Sequence, residues 1–249
     1  IAFHARQKLT KNMGETMKTL FLLGLITATQ LLAESLPTTV TIGLNRSYVP
    51  FGFDDNDRVQ LAVGGMFRNT CYRVGPYQVT TDLENKKIMV RQLAYRYPGT
   101  CLQLMVPFTQ VIDVGLLPPG DWSVVDVASN QEIGKMPVLR GTNVGPDDYL
   151  YAPVTDAYVV TDTVSKKNIL VVTGTFNDRC SVLEDVRVNY NDNVIVALPI
   201  VKRDSEENCA EAPTRFLKTV ELKEGLVGMH LLHMRVLNGQ ALNRFVECP

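Results

Sequence analysis

The sequence has almost no net charge, a single tryptophan, three histidines and only one long apolar run. Its 25 Lys+Arg and 26 Asp+Glu leave a formal charge of -1, which gives no reason to expect the basic face that binds nucleic acid. One apolar run excludes a polytopic membrane protein, and 45% hydrophobic against 20% charged residues excludes a disordered chain. We therefore expect a folded protein with one large domain or two domains of about 100 residues.

Sequence motifs of common catalytic sites are also missing. The chain has no G-x-S-x-G elbow, no glycine-rich phosphate loop and no C-x-x-C pair. Beyond residue 33 its only histidines are His230 and His233, in an apolar segment that predicts a strand. Residues three apart point to opposite faces of a strand, which favours two ordinary strand residues over a metal-binding pair. We predict no catalytic residue, no metal site and no cofactor.

Residues 1–33 have the pattern of upstream sequence followed by a signal peptide. Four basic side chains precede the uncharged stretch Thr19–Ala33, which is shorter than the roughly 20 residues of a spanning helix. Ala33 supplies a small residue at the predicted cleavage position. A buried core helix is the alternative interpretation. The pattern predicts a secreted or periplasmic protein with no membrane insertion after signal removal.

An internal repeat organises the remaining chain. Residues 59–71 match residues 169–180, because each segment is an apolar strand followed by a glycine, a phenylalanine, a polar turn and a cysteine. A second cysteine follows the first after 30 residues in one copy and 29 in the other. This register indicates a duplicated unit.

Both copies have the alternation of β-strands and no convincing helical period. About seven short strands per copy, spaced at roughly 8 to 12 residues, are typical of an immunoglobulin-like sandwich. Asn238-Gly239 lies between two such segments and predicts a type I′ hairpin. We predict an all-β fold of two tandem immunoglobulin-like β-sandwich modules after the signal peptide. Module 1 spans 34–139, a Gly- and Pro-containing linker spans 140–155, and module 2 spans 156–249.

Four of the five cysteines lie at repeated positions. In an exported chain this spacing predicts one disulfide in each copy, Cys71 with Cys101 and Cys180 with Cys209. Cys248 is left over near the end of the chain. It is interpreted as a buried, inert residue, as a free thiol, or as the bridge of a dimer.

The segment from Ser47 to Asp57 combines aromatic and acidic residues between two strands. Its candidate binding residues are Tyr48, Phe51, Phe53, Asp54, Asp55 and Asp57. Such a tip could dock a protein or carbohydrate through its rings or hold Ca²⁺ through its carboxylates, whereas a simple hairpin turn with packed rings is the alternative. The charged stretch 202–211 is either a solvated loop or an acidic contact surface.

The motifs around the cysteines carry a family resemblance. Gly65–Cys71 shows a strand-Gly-x-Phe-x-Asn-x-Cys start, and Cys101–Phe108 continues it with Pro107-Phe108. In copy two the last pair is Arg215-Phe216. The chain thus resembles uncharacterised secreted bacterial proteins with tandem disulfide-bridged immunoglobulin-like β-sandwich repeats. That resemblance implies an exported origin and no particular activity.

These observations favour an exported, non-enzymatic binding or structural protein of the cell envelope or extracellular space. We expect it to recognise a protein or carbohydrate through its loops, since loops vary while a sandwich scaffold is kept. A hydrolase with its site at the junction of the two modules is the alternative. A purely structural subunit is a third interpretation, which predicts an unpaired edge strand or assembly through Cys248.

Overall fold

The computed structural model describes residues 36–204 and 209–249, in which all regular structure is β and no helix occurs. The expected all-β class is confirmed, whereas the predicted signal peptide lies outside the described residues. No segment of the described part is a helix long and apolar enough to cross a membrane. The strands are β1 (Thr38–Ile42), β2 (Arg46–Tyr48), β3 (Phe53–Asp54), β4 (Val59–Phe67), β5 (Tyr72–Asp82), β6 (Lys87–Arg96), β7 (Val106–Gly115), β8 (Gly120–Asp126), β9 (Gln131–Leu139), β10 (Val154–Thr161), β11 (Asn168–Asp178), β12 (Ser181–Asn191), β13 (Val194–Arg203), β14 (Glu211–Glu221), β15 (Gly228–Val236) and β16 (Gln240–Cys248).

The N-terminal half, residues 36–139, builds two sheets around one core. Strands β2-β4-β7 form one sheet, and β1, β5, β6, β8, β9 and β3 form the other. Leu61 and Val63 of β4 meet Ile88 and Val90 of β6 in a single buried cluster that also contains Trp122. Inward side chains alternate with outward ones along each strand, so the two sheets pack face to face.

The C-terminal half, residues 154–249, pairs its strands in the same pattern. Strands β10-β11-β14 form one sheet and β12-β13-β15-β16 the other, with their own buried cluster between them. The parallel pair β6 with β8 corresponds to the parallel pair β13 with β15, and the N-terminal half has a second parallel pair, β3 with β9. The four-stranded path β5-β6-β8-β9 thus corresponds to β12-β13-β15-β16.

The repeated glycine and phenylalanine positions explain part of this likeness. Gly65 pairs with Phe108 and Gly174 pairs with Phe216 across the corresponding strands. At either glycine an added Cβ would clash with the opposite ring. The ring therefore lies over bare backbone, an arrangement that fixes strand register.

Both predicted disulfides are confirmed. Cys71 bonds to Cys101 with a Cα–Cα distance of 5.4 Å, and Cys180 bonds to Cys209 with a distance of 5.6 Å. The first bridge joins the turn between β4 and β5 to the connection between β6 and β7. The second joins the turn between β11 and β12 to the connection between β13 and β14. Two intramolecular bridges of this kind indicate an oxidising environment outside the cytoplasm.

Cys248 is the free cysteine of the described residues, and it is buried at the end of β16. Burial raises the pKa of its thiol, which lowers the thiolate fraction needed for disulfide exchange. Of the three interpretations of Cys248, the buried one describes its environment. A dimer through Cys248, one of the other interpretations, would require this buried residue to become accessible.

Candidate functional site

The two halves meet across a buried contact, here named the junction. It lies between the outer face of β2-β4-β7 and the outer face of β12-β13-β15-β16. Tyr48 from the first sheet packs with Val194, Val196 and Leu231 from the second in a third buried apolar cluster. The ring of Tyr48 meets the edge of Phe245, with the ring centroids 5.0 Å apart. These contacts join the halves through side chains that neither core uses.

Strand alternation explains why the junction forms. Along β13, Ile195 and Ala197 enter the C-terminal core, whereas Val194 and Val196 enter the junction. A strand covered on both faces needs apolar residues at successive positions. The continuous apolar run of β13 is therefore the sequence feature that indicates the junction.

The candidate binding segment lies in this junction. Tyr48, Phe53 and Asp57 are buried, whereas Phe51 is partly buried against the junction cluster. Tyr48 contacts Phe245, the ring of Phe53 contacts His233 from within the N-terminal core, and Asp57 binds Arg235. These three side chains lie against the C-terminal half, and recognition of a partner through this segment stays a prediction. The alternative of a turn with packed rings agrees with the geometry, since the Asp57 amide donates to the Asp54 carbonyl at 3.1 Å.

The remaining two acids of the segment are partly exposed and accept backbone hydrogen bonds. Asp54 Oδ1 accepts from the amide of Asn56 at 3.2 Å, and Asp55 Oδ1 accepts from the amide of Gly141 at 2.7 Å. Burial raises the pKa of Asp54, although the Asn56 hydrogen bond lowers it in part. Asp55 thus ties the segment to the connection between the halves.

A buried ion pair between Asp57 and Arg235 crosses the junction. The Arg235 guanidinium donates to both carboxylate oxygens of Asp57, at 2.6 and 2.7 Å, and both side chains are buried. It also lies over the Phe53 ring, 5.4 Å from the centroid, and close enough to Tyr151 for that side chain to raise its pKa. Burial lowers the pKa of Arg235, but the hydrogen bonds and charge of Asp57 outweigh it and the net shift is upward. Arg235 therefore keeps its charge, and its two hydrogen bonds to Asp57 connect the two halves.

A chain of neutral hydrogen bonds runs beside this pair. Asn243 Nδ2 donates to Gln60 Oε1 at 2.6 Å, which leaves Asn243 Oδ1 to accept from His233 Nδ1 at 2.7 Å. His233 Nε2 is therefore unprotonated, and it has no hydrogen-bond partner among the described residues. The ring also packs edge-on against Phe53, with the centroids 5.4 Å apart.

This arrangement predicts that the protein loses stability at mildly acidic pH. Burial, helped by the charge of Arg235, lowers the pKa of His233 from 6.5 to about 4. The unfolded chain takes up the proton near 6.5 and the folded chain only near 4, so the contribution of His233 is complete above pH 6.5 and is lost as pH falls towards 4. The expected loss is on the order of 3 kcal/mol in the free energy of unfolding.

Urea unfolding between pH 7 and pH 4 measures this effect. We expect His233→Gln to lose less stability over that interval than the wild type. Leu231→Val is the control, because it weakens the same junction without removing a titrating group. Equal pH slopes for wild type and His233→Gln would contradict the prediction.

The predicted linker is tied to both halves. Asp147 accepts hydrogen bonds from the amides of Asn238 and Gly239, each at 2.8 Å, and so caps the turn between β15 and β16. Asn238 and Gly239 both have positive φ, but Val236 pairs with Gln240, so the loop has three residues instead of the two of the predicted type I′ hairpin. Tyr151 already pairs with Ile200 as an isolated bridge before β10 begins. The connection between the halves is therefore anchored along its length.

Sequence reasoning missed the partners of this junction. Arg235, Asn243 and Gln60 were not singled out, although a charged residue within an apolar strand indicates a buried counter-ion. Asp57 was identified, but for its position in a loop and not for its partner. The signal available was the mixture of apolar and ionisable residues along β15.

The histidine and cysteine positions do not assemble a free metal-ligand set in the described part. His230 Nδ1 lies 3.1 Å from the Gly228 carbonyl, whereas His233 binds Asn243. Asp178, Cys180 and Cys209 place ligand atoms within 4.8 Å of one another. Both sulfurs are bonded to each other, so they are not available as thiolates.

An open cleft lies on the side of the C-terminal half, between β12 and β14, and is here named the side cleft. Its volume is about 360 Å³, and its apolar lining includes Phe176, Leu183, Phe216 and Leu217. Strands β12 and β14 each pair along one edge only within the described residues. The charged stretch 202–211 connects the end of β13 to the start of β14, and its residues 205–208 are outside the described residues.

Comparison of the chain with protein-family models, with curated proteins and with solved structures gives no match.

Proposed function

We propose that this chain is an exported, non-enzymatic binding protein made of two tandem immunoglobulin-like β-sandwich modules that arose by duplication. Its matching strand pairing, its Gly–Phe pairs and its equivalent disulfides support the duplication. The two bridges and the N-terminal pattern of residues 1–33 support a secreted or periplasmic location. The recognised partner is a protein of the cell envelope or extracellular space.

The observation that carries this proposal is the side cleft, beside which β12 and β14 each have one edge that pairs with no strand of the described residues. Apolar side chains exposed beside a free strand edge are typical of surfaces that receive an extended segment of another protein. Leu217 is 67% exposed at this cleft. The fixed junction then acts as a support, because it holds the C-terminal half rigidly on the rest of the molecule.

Two other functions receive less support. A carbohydrate partner is favoured by exposed aromatic platforms, whereas the exposed residues of the side cleft are mainly aliphatic and basic. A hydrolase at the junction would use the ionisable groups there. Asp57 and His233 are each 1% exposed, so a substrate does not reach them in this structure. A purely structural subunit would also use the edge strands β12 and β14, but it would bind only other copies of this chain.

Site-specific photo-crosslinking in the producing cell tests the proposal. A benzoylphenylalanine at position 217 should give a discrete, protease-sensitive adduct that contains a second, different protein. The control position is Leu83, which is 62% exposed in the turn between β5 and β6 and should give none. An adduct made only of this chain, a glycan adduct, or no adduct at position 217 would each contradict the proposed function.

A further inference from the structure

The side cleft has a filled counterpart in the N-terminal half. Tyr72 directly follows the bridged Cys71, and its ring stacks on Phe67 with centroids 5.7 Å apart and an angle of 14° between the planes. Phe67 in turn stacks on Phe108 at 4.4 Å. Three rings thus close this side of the N-terminal core.

The C-terminal half keeps two of these rings and lacks the third. Phe176 and Phe216 remain in contact, with their centroids 4.7 Å apart. The residue after the bridged Cys180 is Ser181, whose hydroxyl donates to Asp178 Oδ2 at 3.0 Å. The side cleft opens where a ring would complete the stack, and both Phe176 and Ser181 line it.

The charge of the cleft narrows the class of ligand. Its two charged lining residues, Arg215 and Lys218, are both basic. They lie on β14, and the outer edge of this strand pairs with no strand of the described residues. An extended segment placed along that edge would bring a carboxylate to these cations while its neighbouring side chain enters the cleft.

We infer that the side cleft binds an aromatic side chain of a partner protein, from an extended segment that carries a carboxylate beside the aromatic residue. The inserted ring takes the place over Phe176 that Tyr72 occupies over Phe67. This inference rests on the proposed binding function and specifies the chemistry of its ligand. Stacking on Phe176 supplies affinity, and Arg215 and Lys218 select the acidic neighbour.

The probe for the test is N-acetyl-L-tyrosine, which carries one aromatic ring and one carboxylate. Titrated into the disulfide-bonded, ¹⁵N-labelled protein, it should shift the amide signals of Val182 and Leu217 with a dissociation constant in the millimolar range, as expected for a small ligand. N-acetyl-L-tyrosinamide, which lacks the carboxylate, should bind about twofold to fivefold more weakly. N-acetyl-L-leucine should not saturate the site.

A substitution that fills the cleft distinguishes a specific site for an aromatic ring from non-specific binding to an apolar surface. Ser181→Tyr installs the ring of the N-terminal half and should weaken probe binding at least about tenfold, whereas Ser181→Thr should bind as the wild type does. Leu217→Glu is a second variant at an exposed position, and its charge should repel the carboxylate probe without disturbing the core. Undisturbed amide signals in the N-terminal half show that each variant is folded.

The outcomes distinguish the inference from the proposed function. Unchanged probe binding in Ser181→Tyr, or equal binding of the leucine derivative, would overturn the aromatic site. A crosslink from position 217 that persists in Ser181→Tyr would leave the binding function standing and overturn the inserted ring. Loss of both the crosslink and the probe shifts in Ser181→Tyr supports both.

Discussion

Replacing Asp57 with alanine is expected to lower the free energy of unfolding by about 3 to 5 kcal/mol, which is among the largest effects that one side chain in this molecule can have. The substitution leaves the Arg235 guanidinium buried at the junction without its bidentate partner. Tyr151 and the Phe53 ring remain nearby but carry no compensating charge. Urea denaturation at pH 7 measures the loss.

Two control variants define the origin of this effect. The pair between Arg58 and the partly buried Asp113 has an N–O distance of 2.6 Å, and Asp113→Ala should cost less than about 1 kcal/mol because the exposed Arg58 guanidinium is then solvated by water. The double variant Asp57→Leu with Arg235→Met should recover much of the stability lost in Asp57→Ala. Equal losses in Asp57→Ala and Asp113→Ala would show that the junction pair is not an enclosed ion pair.

Removing either disulfide is expected to cost about 3 to 4 kcal/mol, because each bridge closes a loop of 30 or 29 residues in the unfolded chain. The paired variants are Cys71→Ala with Cys101→Ala and Cys180→Ala with Cys209→Ala. The two bridges lie in different halves, so their effects should add when all four cysteines are replaced. Thermal and urea unfolding of each variant gives the losses.

Reductant supplies the control for the bridges. The wild type should lose stability in reductant, and the variant without both bridges should not change. Cys248→Ala should keep the full response to reductant, since this residue is buried and unbridged. A stability difference of less than about 1 kcal/mol between the wild type and both paired variants would contradict the stabilising role of the disulfides.

The junction shows how a repeated position acquires two different environments. By strand register, Tyr48 pairs with Ala62 and Tyr158 pairs with Val171, which are matching positions in the two halves. Tyr48 is covered by the C-terminal half, whereas Tyr158 is 37% exposed on the outer face of β10-β11-β14. Side chains at matching strand positions of the two halves therefore differ in accessibility, because only one of the two faces is covered within the described residues.

The sequence predicted local pairing better than it predicted surfaces. The β class, both disulfides and the Asn238-Gly239 hairpin followed from strand alternation, cysteine spacing and turn chemistry, which act over short or repeated distances. The segment from Ser47 to Asp57 was left open between a recognition tip, a Ca²⁺ site and a turn with packed rings, because aromatic and acidic residues between two strands suit all three. Its burial depends on the outer face of strands about 140 to 190 residues later in the chain.

The sequence by itself determined that this chain forms β-strands, with a similar order of strands in each half and one disulfide in each half. Those properties depend on the alternation of apolar and polar residues and on the spacing of the cysteines, and both can be read directly from the sequence. Only the tertiary structure decided that Asp57 meets Arg235, that His233 is left with a bare nitrogen, and that Ser181 opens a cleft where Tyr72 closes one. The physical reason is that the burial and pairing of a side chain depend on which other sheet packs against its face. Strand alternation in the sequence predicts the face on which a side chain lies, but not the residues that pack against that face.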